Sequence, residues 1–158
     1  MCPVPPPGTS SSELEITELH DFGRDFEVFD LTYKLDDCAL FRSRDTVVLR
    51  KEKVDVGKHV VPAGEHQLKV LVQFRSDFGA DMHHYEWWST YGGAVTLPPD
   101  GRLAAQARFY EEEAADPRQR MRFELAFKDA PASSEGSSSE APPAASPSPA
   151  ETPPSEQP

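Results

Sequence analysis

The chain is poor in the features that mark most enzymes and most membrane proteins. It has 158 residues and only two cysteines, Cys2 and Cys38. No stretch approaches the roughly 20 apolar residues needed to cross a bilayer as a helix. The first residues carry neither a basic segment nor an apolar run, so no secretory signal is visible. G-x-S-x-G, H-E-x-x-H, H-x-x-x-H and C-x-x-C spacings are all missing, and no glycine-rich loop precedes a helix to cradle a phosphate. Basic residues are the minority, with 16 Lys and Arg against 27 Asp and Glu. A net charge of −11 argues against nucleic acid, whose binders present a basic face, and against adsorption to an anionic membrane. These gaps point away from catalysis, from cofactors and from polyanion binding. Together with the missing export signal, they place the chain in the cytoplasm.

Both ends lack anything to bury. Residues 1–12, MCPVPPPGTSSS, hold four prolines and no charged side chain. Residues 130–158 are almost entirely Pro, Ser, Ala, Glu, Thr and Gly, and hold no aromatic residue, Val, Ile or Leu. Such segments cannot offset the entropy of ordering themselves, and they read as a disordered leader and a disordered acidic tail. The tail accounts for four of the eleven net negative charges through Glu135, Glu140, Glu151 and Glu156, leaving seven on the rest. Residues 13–129 are the right size for one domain with one core. A disulfide between Cys2 and Cys38 would tie down only the leader, so none is expected. A second reading takes Cys2 and its Pro-rich sequel as the lipidated start of a processed bacterial lipoprotein, which would place the protein in the cell envelope.

What the chain does have is alternation. Leu68, Val70, Val72 and Phe74 lie on one side of a strand, with Gln67, Lys69, Gln73 and Arg75 on the other. That period of two is what a half-buried strand requires. Leu14 and Ile16 begin a first strand. Phe29, Leu31, Tyr33 and Leu35 alternate in a second, which ends at an Asp36-Asp37 turn. Cys38 to Phe41 leave that turn, and Thr46 to Arg50 read as a further strand. Val54, Val56, Val60 and Val61 flank Gly57-Lys58, which reads as a hairpin. Gly93 to Leu97 form a short strand before the turn Pro98-Pro99-Asp100-Gly101. Leu103, Ala105, Ala107 and Phe109, then Met121, Phe123, Leu125 and Phe127, alternate on either side of the charged segment from Glu111 to Pro117. The predicted fold is all-β: a single antiparallel β-sandwich of seven to eight strands.

The segment Asp81 to Tyr91 holds both tryptophans. Tyr85, Trp87, Trp88 and Tyr91 form a candidate binding surface, because Trp and Tyr offer rigid contact area with a polar handle. The competing reading is a strand with Trp87 in the core and Trp88 outside. A metal site at His83 and His84, with Asp77, Asp81 and Glu86 nearby, is the weaker idea. Neighbouring strand residues point to opposite faces and cannot easily share one ion. The carboxylate groups at Asp36-Asp37 and Glu111–Glu113 read as solvated turns, and Cys38 has no local base.

Tyr33 to Phe41 followed by Val61-Pro62-Ala63-Gly64-Glu65-His66-Gln67-Leu68-Lys69-Val70 resembles the pattern of PEGA-type domains. There a strand ends in an Asp-Gly-like turn, and a Pro-x-Gly-x-His turn then leads into an alternating strand. A longer variant in bacterial envelope proteins runs on into an aromatic segment similar to Tyr85–Tyr91. The likeness covers roughly Phe29 to Phe127, with Asp37 standing where Gly is common. Arrestin-like sandwiches also carry a Gly-Glu-His turn before a strand. The resemblance implies an immunoglobulin-like or PEGA-like sandwich in a non-catalytic accessory protein. The functional expectation is a protein-interaction or scaffolding module with no cofactor, able to self-associate through a sheet edge. The alternatives are a carbohydrate- or small-ligand-binding envelope lipoprotein and a metal-dependent hydrolase.

Overall fold

The computed structural model describes residues 2, 5–78 and 83–129, without the side chains of 77, 78, 83, 84, 117 and 129. The expected tail at 130–158 lies outside the described residues. The elements are β1 (Ser11–Asp21), β2 (Phe26–Leu35), β3 (Cys38–Ser43), α1 (Thr46–Leu49), β4 (Lys53–Pro62), β5 (Gly64–Phe78), β6 (His83–Leu97), β7 (Arg102–Glu111), α2 (Pro117–Arg120) and β8 (Met121–Asp129).

Two four-stranded sheets face each other, ordered β4-β1-β7-β8 and β3-β2-β5-β6. This is the all-β sandwich that the alternation predicts. Every strand pair is antiparallel except β1–β7, which runs parallel from Glu13↔Arg102 to Asp21↔Tyr110. The first strand therefore sits inside its sheet, between the fourth and the seventh. The inward residues of each strand form one core. Leu14 and Ile16 of β1, Leu31 and Tyr33 of β2, Val70, Val72 and Phe74 of β5, and Phe109 of β7 are all fully buried. The small Ala105 and Ala107 let the sheets approach, and an aromatic cluster fills the space beside them. In it Tyr91 stacks on Phe123 with ring centroids 5.0 Å apart, and Phe109 lies 5.1 Å from Phe123.

Several local expectations are corrected. Thr46 to Leu49 form a helical turn rather than a strand. Asp45 caps it by accepting a hydrogen bond from the Val47 amide at 2.9 Å. Leu49 is buried while Val47 stands exposed, so the β-branched composition misleads there. Gly57 does not turn a hairpin. It lies within β4 at a bulge, where Ile16 pairs with Gly57 and Thr17 with Asp55, and its φ of 107° is one that glycine adopts freely. In the Pro98–Gly101 turn it is Asp100 that takes positive φ. A Cβ on Gly101 would meet Pro98 Cγ at 2.6 Å, which is why glycine follows. Gly93–Leu97 is the end of the long β6 rather than a separate short strand.

The largest correction concerns sulfur. Cys2 and Cys38 are joined by a disulfide. β1 already begins at Ser11, and Ser12 is buried with its hydroxyl donating to the Gly101 carbonyl at 3.1 Å. The leader is thus tied at one end to β3 of the second sheet and continues into β1 of the first. The bond links the two layers, which the reading of residues 1–12 as a loose tether does not anticipate. A sulfur in a disulfide cannot also carry a lipid thioether.

Candidate functional site

β6 pairs with β5 over fifteen consecutive positions without a bulge, from Gly64↔Leu97 to Phe78↔His83. Its alternation splits the four aromatic candidates. Trp87 and Tyr91 point inward. Trp87 packs 5.5 Å from Phe74 and edge-on to Phe26 at 6.2 Å, and Tyr91 joins the Phe109–Phe123 cluster. Trp88 points outward and is 56% exposed; Tyr85 shares the inward parity of Trp87 but lies near the start of the strand, outside the packed cluster, and is 42% exposed. The division of Trp87 to the core and Trp88 to the surface follows from strand periodicity.

Trp88 stands opposite Gln73 of β5, which in turn stands opposite Asp30 of β2. Arg75 flanks this row, bonding Glu86 at 2.7 Å while its guanidinium lies 5.2 Å above the Phe29 ring. Asp30 is buried although it belongs to the outer face. Its Oδ2 accepts from Arg44 at 2.5 Å, and its Oδ1 has no partner. The surface around Trp88 is therefore one indole set among amide, hydroxyl and paired charged groups.

The edge itself is unusual in this molecule. An exposed strand edge presents unpaired backbone groups, and proteins guard such edges with charge, proline, bulges or short length. Three of the four edges here carry those guards. β3 has six residues, a register shift between Tyr33 and Lys34, and the disulfide at Cys38. β4 has its bulge, the cations Lys53 and Lys58, and Pro62 at its end. β8 alternates Arg122, Glu124 and Lys128 along one face. β6 is the longest of the edge strands and has no proline. Its one Asp, Glu, Lys or Arg is Glu86, neutralised by Arg75. Among the described residues nothing covers its outer side.

Alternation in β1 continues past its apolar residues and places two polar side chains in the core. Glu18 is fully buried. Its carboxylate accepts from the Tyr33 hydroxyl and, at 2.5 Å, from His20 Nε2. Burial, reinforced by the Glu18 charge, holds the Tyr33 hydroxyl well above its ordinary pKa. This network was legible only by carrying the even-numbered parity of Leu14 and Ile16 on to Glu18 and His20. His20 lines a cavity of about 450 Å³ with Phe22, Arg24, Leu49 and Arg50.

The Pro-x-Gly-x-His turn has a structural task. His66 Nδ1 lies 2.8 Å from Asp36 Oδ2, and Nε2 lies 2.9 Å from the Pro62 carbonyl. Asp36 Oδ1 accepts from the Gln67 amide at 2.9 Å. The imidazole thus clamps the β2–β3 turn to the β4–β5 turn. The hydrogen bond from His66, then that from Gln67, holds the Asp36 carboxyl below its ordinary pKa. Asp37, next to it, is solvated. Cys38 is spent in the disulfide and offers no nucleophile.

Among the described residues no three His, Cys, Asp or Glu side chains converge as a metal site. His83 and His84 occupy adjacent positions of β6, and their side chains lie outside the described residues, as does Asp81. No described helix is long and apolar enough to cross a membrane. The fold and site define a class: a two-layer all-β sandwich with one long, unguarded strand edge beside an exposed indole. Beyond that class, no known protein family, curated protein or solved structure matches the chain.

Proposed function

We propose that this protein is a non-catalytic interaction module that takes an extended polypeptide segment along β6, with Trp88 as the anchor beside it. The observation that carries the reading is the contrast among the four edges, three guarded and one open. Strand addition draws its affinity from main-chain hydrogen bonds and its specificity from side chains beside the edge. An indole next to an open edge supplies both. The side chains spent on the Asp36–His66 clamp and the Glu18 network are occupied in holding the sandwich, which supports a scaffold role rather than an enzymatic one. That role agrees with the PEGA-like resemblance of an accessory domain. The Cys2–Cys38 disulfide favours an oxidising compartment over the cytoplasm as the working site.

A photo-crosslinking side chain placed at Thr90 on β6, and separately at Gln106 of β7 in the other sheet, tests this in the source cells. A discrete adduct from position 90, weakened several-fold by Trp88→Ala and missing from position 106, is the outcome expected. Equal adducts from both positions, or none from position 90, would contradict it.

A further inference from the structure

The fifteen residues of β6 have Thr90 at their centre. If a second copy of the strand is laid antiparallel along the open edge with the two-fold axis at Thr90, all fifteen positions pair, since each residue then meets the one equally far on the other side of Thr90. Any register slipped by one residue would set the outward face of one copy against the inward face of the other. Slips by two or more leave ends unpaired.

In the centred register Trp88 faces Gly92, Trp87 faces Gly93, Glu86 faces Ala94 and Thr90 faces its own copy. The exposed Trp88 indole therefore lies across from a glycine, an arrangement in which an aromatic ring covers the backbone that glycine leaves bare. No charge meets a like charge. Gly92 has its own reason to be glycine, because a Cβ there would sit 2.0 Å from the Leu68 carbonyl oxygen. Gly93 has none, since a Cβ there would meet nothing within 4 Å. β8 lies over β6 in the other sheet, and its Phe127 is 38% exposed on the inward side of that strand.

We infer that two copies of this chain associate by antiparallel β6–β6 pairing centred on Thr90, joining their second sheets into one continuous eight-stranded sheet. The inference rests on the reading of β6 as a pairing edge and names a second copy as its occupant. The contact is isologous, so it closes at two copies. Edge pairing buries less than the roughly 1,600 Å² of a standard interface, so the dimer forms in a concentration-dependent way. Because each chain carries a net charge of −11, added salt should tighten it.

The test uses the full chain with the native disulfide intact. Thr90→Cys brings two thiols across the axis at a Cα separation of about 4.5–5.5 Å, within disulfide reach. Copper phenanthroline, as the oxidant, should convert most of it to a covalent dimer. Thr96→Cys places the thiols about 40 Å apart and should give several-fold less. Thr90→Lys, at an exposed position, should abolish concentration-dependent mass in sedimentation while circular dichroism stays unchanged. It lowers the chain's net negative charge, so relief of general repulsion cannot explain the loss. Equal cross-linking of the two cysteine variants, together with a monomer at every concentration, would overturn the inference.

A labelled peptide of residues 83–97 separates the two levels. If the monomeric chain binds it and Thr90→Lys does not, the dimer is wrong and the pairing edge stands. If the peptide also fails to bind, the β6–β6 dimer falls, and the adduct from position 90 alone decides whether β6 takes another partner.

Discussion

At the scale of single residues, polar groups set the specificity of this sandwich. Glu18 holds two hydrogen-bond donors from inside the core, the Tyr33 hydroxyl and His20 Nε2. Removing the carboxylate leaves the buried Tyr33 hydroxyl without its acceptor, at a cost of about 1–3 kcal/mol. Glu18→Ala should lower stability by that order in urea titrations, and a loss under about 1 kcal/mol would show that the network is dispensable. Asp36 makes a smaller and pH-dependent contribution. Its carboxyl is held below the ordinary value of 3.8, so the stabilisation is fully present above that pH and is lost as the pH falls through the depressed value. Its side chain is exposed, which limits the effect to under about 1 kcal/mol. Asp36→Asn tolerates the positive φ of this turn, and the variant should lose less stability than the parent on acidification below about 3.8. Equal acid sensitivity of the two proteins would remove the His66–Asp36 clamp as its source.

At the scale of elements, strands with one buried face were readable from sequence and the exceptions were local. β5, β7 and β8 follow their alternating apolar residues, because burial on one face of a pleated strand imposes a period of two. α1 defeated that logic. Thr46-Val47-Val48 has strand composition, yet the Asp45 cap and the burial of Leu49 decide for a helical turn. Asp45→Ala should cost roughly 1 kcal/mol through loss of the cap, measured by thermal melting, and an unchanged melting temperature would show that Leu49 burial alone holds the turn. Gly57 is ambiguous in sequence because a turn and a bulge both recruit glycine for positive φ, and only the partner strand distinguishes them. Trp87 and Trp88 show the reverse case. Their opposite placement follows from adjacency in one strand, but that β6 lies at an edge is a fact of topology that no window of sequence contains.

At the scale of the whole molecule, two features govern behaviour. The first is the Cys2–Cys38 bond, whose sequence separation is 36. Spacing alone does not suggest it, because the anchoring of the leader depends on β1 starting at Ser11, which its Pro- and Ser-rich composition hides. A loop of that length is worth about 3–4 kcal/mol in the chain-entropy account. Reduction with a thiol should lower stability by that order, and a loss close to zero would mean that the leader docks without it. The second feature is the asymmetry of the edges, on which the functional reading turns. Amide hydrogen exchange, followed by NMR as protein concentration rises, measures it most directly. Protection should appear at alternate β6 amides between 83 and 97 with increasing concentration, while the outer amides of β3, β4 and β8 keep their rates. Exchange along β6 that ignores concentration, or protection that rises at a different edge, would contradict pairing through β6.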